Sequence, residues 1–271
     1  MTPRLGFVGA GQLGEPMVHR LLDAGHEVLV CARRPELQDR LRHRGADVTP
    51  SVEQLASSCD ILISCLFSDD QLQEIAAGPA GLAANMRPGA ILVSHTTGLA
   101  STVETLAAEG LCVLDAPVSG TAQDIAEGRL TVLIGGPAEK VDVVVPLLNS
   151  YADPVVRTGD LGSALRLKLV NNALFAANAQ LVIAAMQVVE KLGGEGSRLL
   201  EVLEYCSGGS RASTSLVSAS DVDAFATAAG PFLRKDVSAY VAAAAQAGVD
   251  PGLLGVVIGS GHMRLAPDDS K

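Results

Sequence analysis

Leu5-Gly6-Phe7-Val8-Gly9-Ala10-Gly11-Gln12-Leu13-Gly14 is the stretch that decides the fold. Four mostly apolar residues read as a buried strand, and the G-x-G-x-x-G that follows leads into an amphipathic pattern from Leu13 to Ala24. Each glycine has a separate job there. Gly9 permits the tight turn, Gly11 lets backbone approach a pyrophosphate, and Gly14 lets the helix pack closely on the strand. The helix N-terminus then points its unpaired N–H groups at the phosphates. Gly9, Gly11, Gln12, Leu13 and Gly14 are therefore candidate cofactor residues.

The next strand, expected from Val28 to Cys31, closes the βαβ unit. Its end discriminates between the two nicotinamide dinucleotides, because an acid there holds the ribose 2′-hydroxyl of NAD. None is present. The sequence reads Cys31-Ala32-Arg33-Arg34-Pro35, and two guanidiniums suit a 2′-phosphate through charge-assisted, forked hydrogen bonds. NADP is accordingly expected over NAD, with two solvated arginines at a helix entrance as the plainer reading.

Outward from this unit the alternation continues, with strands expected at Ile61 to Cys65, Ile91 to Ser94, Val113 to Leu114, Leu130 to Ile134 and Val155 to Val156. Intervening helices are expected at Glu36 to Arg44, Ser101 to Glu109 and Glu139 to Asn149. Near-continuous apolar strands belong to a mainly parallel sheet covered on both faces. After Thr158 the pattern becomes helical, with one long stretch from about Leu161 to Leu192, a Ser/Gly-rich loop from Cys206 to Ser220, and a last helix from about Arg234 to Ala247. The expectation is an α/β doubly wound Rossmann domain over residues 1–158 and an all-α domain over 159–271.

Composition narrows the function classes. A net charge of -10 in 271 residues argues against nucleic acid as a partner, since phosphate binding needs clustered Lys and Arg. Five scattered cysteines lack paired metal or disulfide spacings, and the histidines form no ligand motif, so no metal is expected and a reducing cytoplasm is. No uninterrupted run of about 18 apolar residues suggests a membrane span, and the N-terminus has no signal-peptide core.

Three further segments carry a resemblance: Asp115-Ala116-Pro117-Val118-Ser119-Gly120, Lys168-Leu169-Val170-Asn171-Asn172 and Lys235-Asp236-Val237. With the glycine turn, in this order, the chain resembles the 3-hydroxyisobutyrate and 6-phosphogluconate dehydrogenase superfamily. The resemblance implies a Rossmann domain followed by an all-α domain and hydride transfer to or from a small acidic or carbonyl substrate. It implies that Ser119, Gly120 and Thr121 bind the substrate, with Phe232 as a wall, that Lys168 is the general acid/base and that Asn172 orients the substrate. It places Leu66, Thr97 and Lys235 beside the cofactor, and it implies a homodimer or tetramer in which the long helix packs across a two-fold axis.

The residues bear on these roles independently. Lys168 and Asn172, four apart, share one helix face. A lysine amid Leu165, Leu167, Leu169 and Val170 is poorly solvated, which favours its neutral form, although a snorkelling stem would look the same. Two adjacent amides in an apolar helix need hydrogen-bond partners. As bare sequence, Lys235-Asp236 is a solvated charged pair, Phe232 a core residue and Thr96-Thr97 an ordinary strand end.

Departures from the family bear on the pocket. Thr121 replaces a second glycine and is expected to narrow the site or add a hydroxyl donor. Ser94 stands where many relatives have an acid, and Ala164 where they have glycine. Few aromatics, 3%, imply an aliphatic lining, and the short segment after Pro251 implies a site left open or completed by a partner chain. Imine reduction on the same scaffold is opposed by retention of Lys168, and a non-catalytic NADP-binding module by the intact Ser119, Lys168 and Asn172 set.

Overall fold

The computed structural model describes residues 3–219 and 221–265. The polar tail from Ala266 onward and Ser220 lie outside the described residues. The chain divides into two compact units, Met1–Lys168 and Leu169–Lys271.

The first unit is built on a nine-stranded sheet. In chain order the strands are β1 (Leu5–Val8), β2 (Val28–Cys31), β3 (Asp47–Thr49), β4 (Ile61–Ser64), β5 (Ile91–Ser94), β6 (Cys112–Asp115), β7 (Val118–Ser119), β8 (Leu130–Gly135) and β9 (Ala152–Gly159). They lie in the order β3-β2-β1-β4-β5-β6-β8-β7, with β9 paired to β8. The first six strands in this order are parallel, and their register aligns Thr49, Cys31, Val8, Ser64, Ser94 and Asp115 in one row at the carboxyl ends. Strand β8 runs antiparallel to β6 and β7 and parallel to β9. The sheet is thus mainly parallel, with a mixed edge.

Both sheet faces are buried, as the apolar strands require. Phe7, Ile63, Val93 and Leu114 join one cluster with Met17, Val18 and Leu21 of α1 (Gly14–Asp23). Val8, Leu62, Leu92 and Val113 join another with Leu55 of α3 (Val52–Ser58), following α2 (Pro35–Arg44). Helices α4 (Asp69–Ala76), α5 (Leu82–Asn85), α6 (Ala100–Ala108), α7 (Ala122–Ala126) and α8 (Ala138–Leu148) complete the layers. The elements absent from the sequence reading, β3, β7, α3, α4, α5 and α7, are too short to show a period. Three of these helices instead carry side-chain caps, with Ser51 accepting from Gln54 N, Ser68 from Gln71 N and Thr121 from Asp124 N.

The second unit is helical throughout its described residues. Helix α9 (Ser163–Lys191) enters it, followed by α10 (Gly196–Leu203), α11 (Arg211–Val217), α12 (Val222–Gln246) and α13 (Gly252–Ser260). Length and composition would let α9 cross a membrane, but 44% of its most apolar 18-residue window is buried in protein. It is also tied down by polar groups. The Gln180 amide donates to Ile258 O at 3.0 Å and Met263 O at 2.6 Å, and accepts from Met263 N at 3.0 Å.

Two expectations are corrected in this unit. The expected loop from Cys206 contains α11, started by a reciprocal cap between Ser210 and Ser213. The last long helix begins at Val222, capped by Asp221, and runs straight through Pro231. Burial of Phe225, Leu233 and Val237, at roughly 1.5–3 kcal/mol each, outweighs the proline penalty of about 3 kcal/mol.

Gly14 shows how tightly α1 sits on β1: a Cβ there would fall 2.2 Å from the Gly9 carbonyl oxygen and 2.9 Å from the Phe7 ring. Gly14→Ala is expected to destabilise the protein by about 1–3 kcal/mol, read from urea unfolding. A change within error would contradict this packing.

Candidate active site

The glycine turn forms as the motif requires. Gly9 has φ of 91° and faces the Cys65 carbonyl, so any Cβ would collide with it at 2.2 Å. Gly11 is exposed with nothing within 4 Å of a Cβ position, which leaves room for a ligand against the backbone. Gln12 is exposed and Leu13 partly so, and no side chain caps α1. The head of this helix therefore offers open N–H groups, and these residues fit a dinucleotide pyrophosphate. Glu15 in the first turn would oppose an anion, but Arg40 holds it bidentately at 2.8 Å on both oxygens, keeping its carboxyl below the usual range.

Arg33 and Arg34 follow β2 with exposed side chains, and neither is ion-paired among the described residues. The Gln38 amide donates to Ala32 O at 2.8 Å, bracing the backbone that precedes them. Leu66 follows β4 and lies against the Gly9 turn, its Cδ2 3.1 Å from the Gly9 Cβ position. Thr97 is partly exposed beyond β5, whereas Thr96 is buried.

Between them in function sits a residue that the sequence reading assigned only to the absence of a metal motif. His95 is buried; its Nδ1 lies 2.5 Å from Ala116 O and its Nε2 2.8 Å from the Tyr151 hydroxyl. A carbonyl can only accept, so Nδ1 carries the proton and Tyr151 donates to Nε2. The rings meet edge to face. The dyad joins the end of β5 to the segment leading into Ser119. Nothing in the spacing of residues 95, 116 and 151 announces it.

Ser119 and Gly120 are exposed on β7 and just after it, and Gly120 has φ of 143°, where a side chain would be strained and pressed against Leu130 and Asp124. Thr121 does something other than supply a new donor. It caps α7, its hydroxyl donating to Asp124 Oδ2 at 2.7 Å and accepting from Asp124 N at 3.3 Å. The threonine proton is thus committed to the helix start.

Lys168 lies in α9 and is buried, 6% exposed, although its neighbours Leu167 and Val170 face outward. In the second unit Asn172, one turn further on, donates from Nδ2 to Asp236 Oδ2 at 2.6 Å and accepts from Asn171 Nδ2 at 3.0 Å. Lys235 Nζ is 3.0 Å from Asp236 Oδ1, an ion pair too poorly aligned to count as a hydrogen bond. Lys235-Asp236 is therefore largely buried rather than solvated, and it lies in the middle of α12 rather than near its start. The amide of Asn172 is held in one orientation as a result. Phe232, half exposed, precedes Asp236 by one turn.

The chain is similar to known proteins over most of its length. The family model for the NAD binding domain of 6-phosphogluconate dehydrogenase matches residues 4–159, and that for NAD-binding of NADP-dependent 3-hydroxyisobutyrate dehydrogenase matches residues 162–261. The chain is 31% identical to an L-threonate dehydrogenase of Cupriavidus necator over 215 residues, covering 78% of this chain and 72% of that one. It is 32% identical to a 3-hydroxyisobutyrate dehydrogenase of Pseudomonas aeruginosa over 209 residues, covering 76% and 70%. The solved structure of a Mycobacterium tuberculosis 3-hydroxyisobutyrate dehydrogenase with L-serine superposes with a TM-score of 0.81 at 22% identity, covering 95% and 92%, a likeness of fold.

Burial lowers the pKa of His95 from 6.5 to about 4. Between these values the unfolded chain binds a proton that the folded chain refuses, so stability falls as pH drops from about 6.5 to about 4, by roughly 3 kcal/mol over the full interval. Urea unfolding at about pH 7 and about pH 4.5 should show a larger acid loss in the wild type than in His95→Gln. Equal losses would rule out a buried neutral histidine.

Proposed function

Because the chain belongs to the 3-hydroxyisobutyrate and 6-phosphogluconate dehydrogenase (β-hydroxyacid dehydrogenase) superfamily, we propose that it is an NADP-dependent oxidoreductase acting on a small 3-hydroxy acid or the matching semialdehyde. The observation that carries this reading is the buried Lys168 one turn before Asn172, whose amide Asp236 fixes. Bound nicotinamide would supply the hydride acceptor or donor. Gly9, Gly11, Gln12, Leu13 and Gly14 would hold its pyrophosphate, with Leu66, Thr97 and Lys235 along the rest of the cofactor.

In alcohol oxidation, neutral Lys168 accepts the hydroxyl proton; in carbonyl reduction, its ammonium returns a proton to the same oxygen. Asn172 can direct its remaining amide N–H to the substrate. Ser119 can donate its hydroxyl, and Gly120 its backbone N–H, to the carboxylate. Thr121 shapes this corner by holding the start of α7, and Phe232 supplies an apolar wall. The hydroxy-acid class draws support from relatives named for threonate and 3-hydroxyisobutyrate.

Preference for NADP is supported by the two exposed arginines after β2 and the lack of an acid there. A homodimer or tetramer is supported by the outer face of α9, and a cytoplasmic location by five scattered cysteines without disulfide spacings. Leu167, Val170, Leu174, Leu181 and Val188 are each about half exposed and recur at intervals of three, four and seven. An apolar stripe of this spacing is suited to packing against another helix.

The test is NADPH oxidation and NADP reduction against acid semialdehydes, 3-hydroxy acids and cyclic imines, with NADH and NAD in parallel. Lys168→Ala is expected to lose about 10²–10⁴-fold in kcat while binding NADPH normally. Replacing both arginines by Ala should weaken NADP by about tenfold or more and leave NAD unchanged. Turnover of imines alone would point to imine reduction, and NADPH binding without any turnover to a binding module. By light scattering the wild type should be a dimer or tetramer, and the double variant Leu174→Asp, Leu181→Asp a monomer. A monomeric wild type would end the assembly proposal.

A further inference from the structure

Asp115 closes β6 with a side chain that is completely buried. One carboxylate oxygen accepts from Gly162 N at 2.8 Å and the other from Leu165 N at 2.9 Å. These amides belong to the turn that opens α9, the helix that presents Lys168. The first N–H groups of a helix have no partner within it, and a negative carboxylate there also complements the helix dipole.

The surroundings are shaped to admit this carboxylate. Gly135 of β8 is the register partner of Asp115. A Cβ at Gly135 would come within 2.6 Å of Asp115 Oδ1, 2.6 Å of Ser163 Oγ and 2.8 Å of Asp160 O. Next to it, Thr158 Oγ1 donates to Ile134 O at 3.0 Å and lies 2.7 Å from Ser163 Oγ. Burial pushes the Asp115 carboxyl up, and the N–H groups of Leu165, Gly162, Asp115 itself and Ala164 pull against that rise.

We propose that Asp115 is a positioning residue for proton transfer: by clamping the first turn of α9 to the end of β6, it fixes the depth and rotation at which Lys168 is presented. The same strand end runs on through Ala116 and Pro117 to Ser119 and Gly120. One carboxylate therefore ties the turn before the proton-transfer lysine to the segment proposed to hold the substrate's acid group. A helix slipped by one residue rotates by about 100°, which would turn Lys168 away. This inference rests on the reading of Lys168 as general acid/base.

The experiment compares wild type, Asp115→Ala, Asp115→Asn, Gly135→Ala and Lys168→Ala below their melting temperatures. It measures kcat, KM, the NADPH dissociation constant and amide hydrogen exchange at Gly162 and Leu165. Asp115→Ala is expected to lose about 10²-fold in kcat with KM and NADPH affinity unchanged and with faster exchange at both amides. Asp115→Asn keeps one acceptor oxygen and should recover about tenfold of that loss. Gly135→Ala, which crowds the carboxylate, should lower kcat in the same direction, and it carries the test with Asp115→Asn if Asp115→Ala does not fold. Undiminished kcat alongside faster exchange would overturn the proposal, as would equal losses in Ala and Asn that track NADPH affinity. Equal turnover by wild type and Lys168→Ala would instead remove the premise, and that failure is visible separately.

Discussion

Parallel pairing at common register is the constraint on which the rest of the first unit depends. Because β1 to β6 run in one direction and Thr49, Cys31, Val8, Ser64, Ser94 and Asp115 stand in one row, every strand hands its chain to a loop at the same edge. The glycine turn follows Val8, the arginines follow Cys31, Leu66 follows Ser64, Thr97 follows Ser94, and Ser119 follows Asp115. Residues more than a hundred positions apart are gathered at one end of a rigid sheet, the usual place for a ligand in open α/β folds. The apolar strands that force burial on both faces thereby also position the residues proposed to hold the cofactor.

Buried polar groups then fix what the sheet edge only collects. His95 links the end of β5 to Ala116 and Tyr151, and Asp115 links the end of β6 to the start of α9. In the second unit Asp236 receives Asn172 on one oxygen and faces Lys235 with the other. In a low-dielectric interior each of these groups would be costly if unpaired, so each contact favours one geometry over its neighbours. The two linkages in the first unit involve the two strand ends that flank the segment reaching Ser119.

Helix α9 serves two environments at once. Its inner side carries Lys168, Asn172 and Gln180 among Ala173, Ala176 and Ala179, whose small side chains allow close packing. Its outer side repeats exposed Leu and Val over more than four turns. That division explains why its overall hydrophobicity is high without a strong single-faced pattern, and why the same composition would satisfy a membrane helix.

The sequence by itself determined the α/β fold followed by helices, the turn at Gly9 to Gly14 and the absence of an acid after β2, because strand hydrophobicity, glycine geometry and charge are local properties. The motif resemblance added Lys168, Asn172 and Ser119 as candidates. Only the tertiary structure decided which polar groups pair. It committed the Thr121 hydroxyl to Asp124, buried Asp236 against Asn172, carried α12 through Pro231, and joined His95 to Tyr151 and Asp115 to Gly162. Such pairings depend on distances between residues up to 64 positions apart, set by the packing of whole elements, and no periodicity along the chain encodes them.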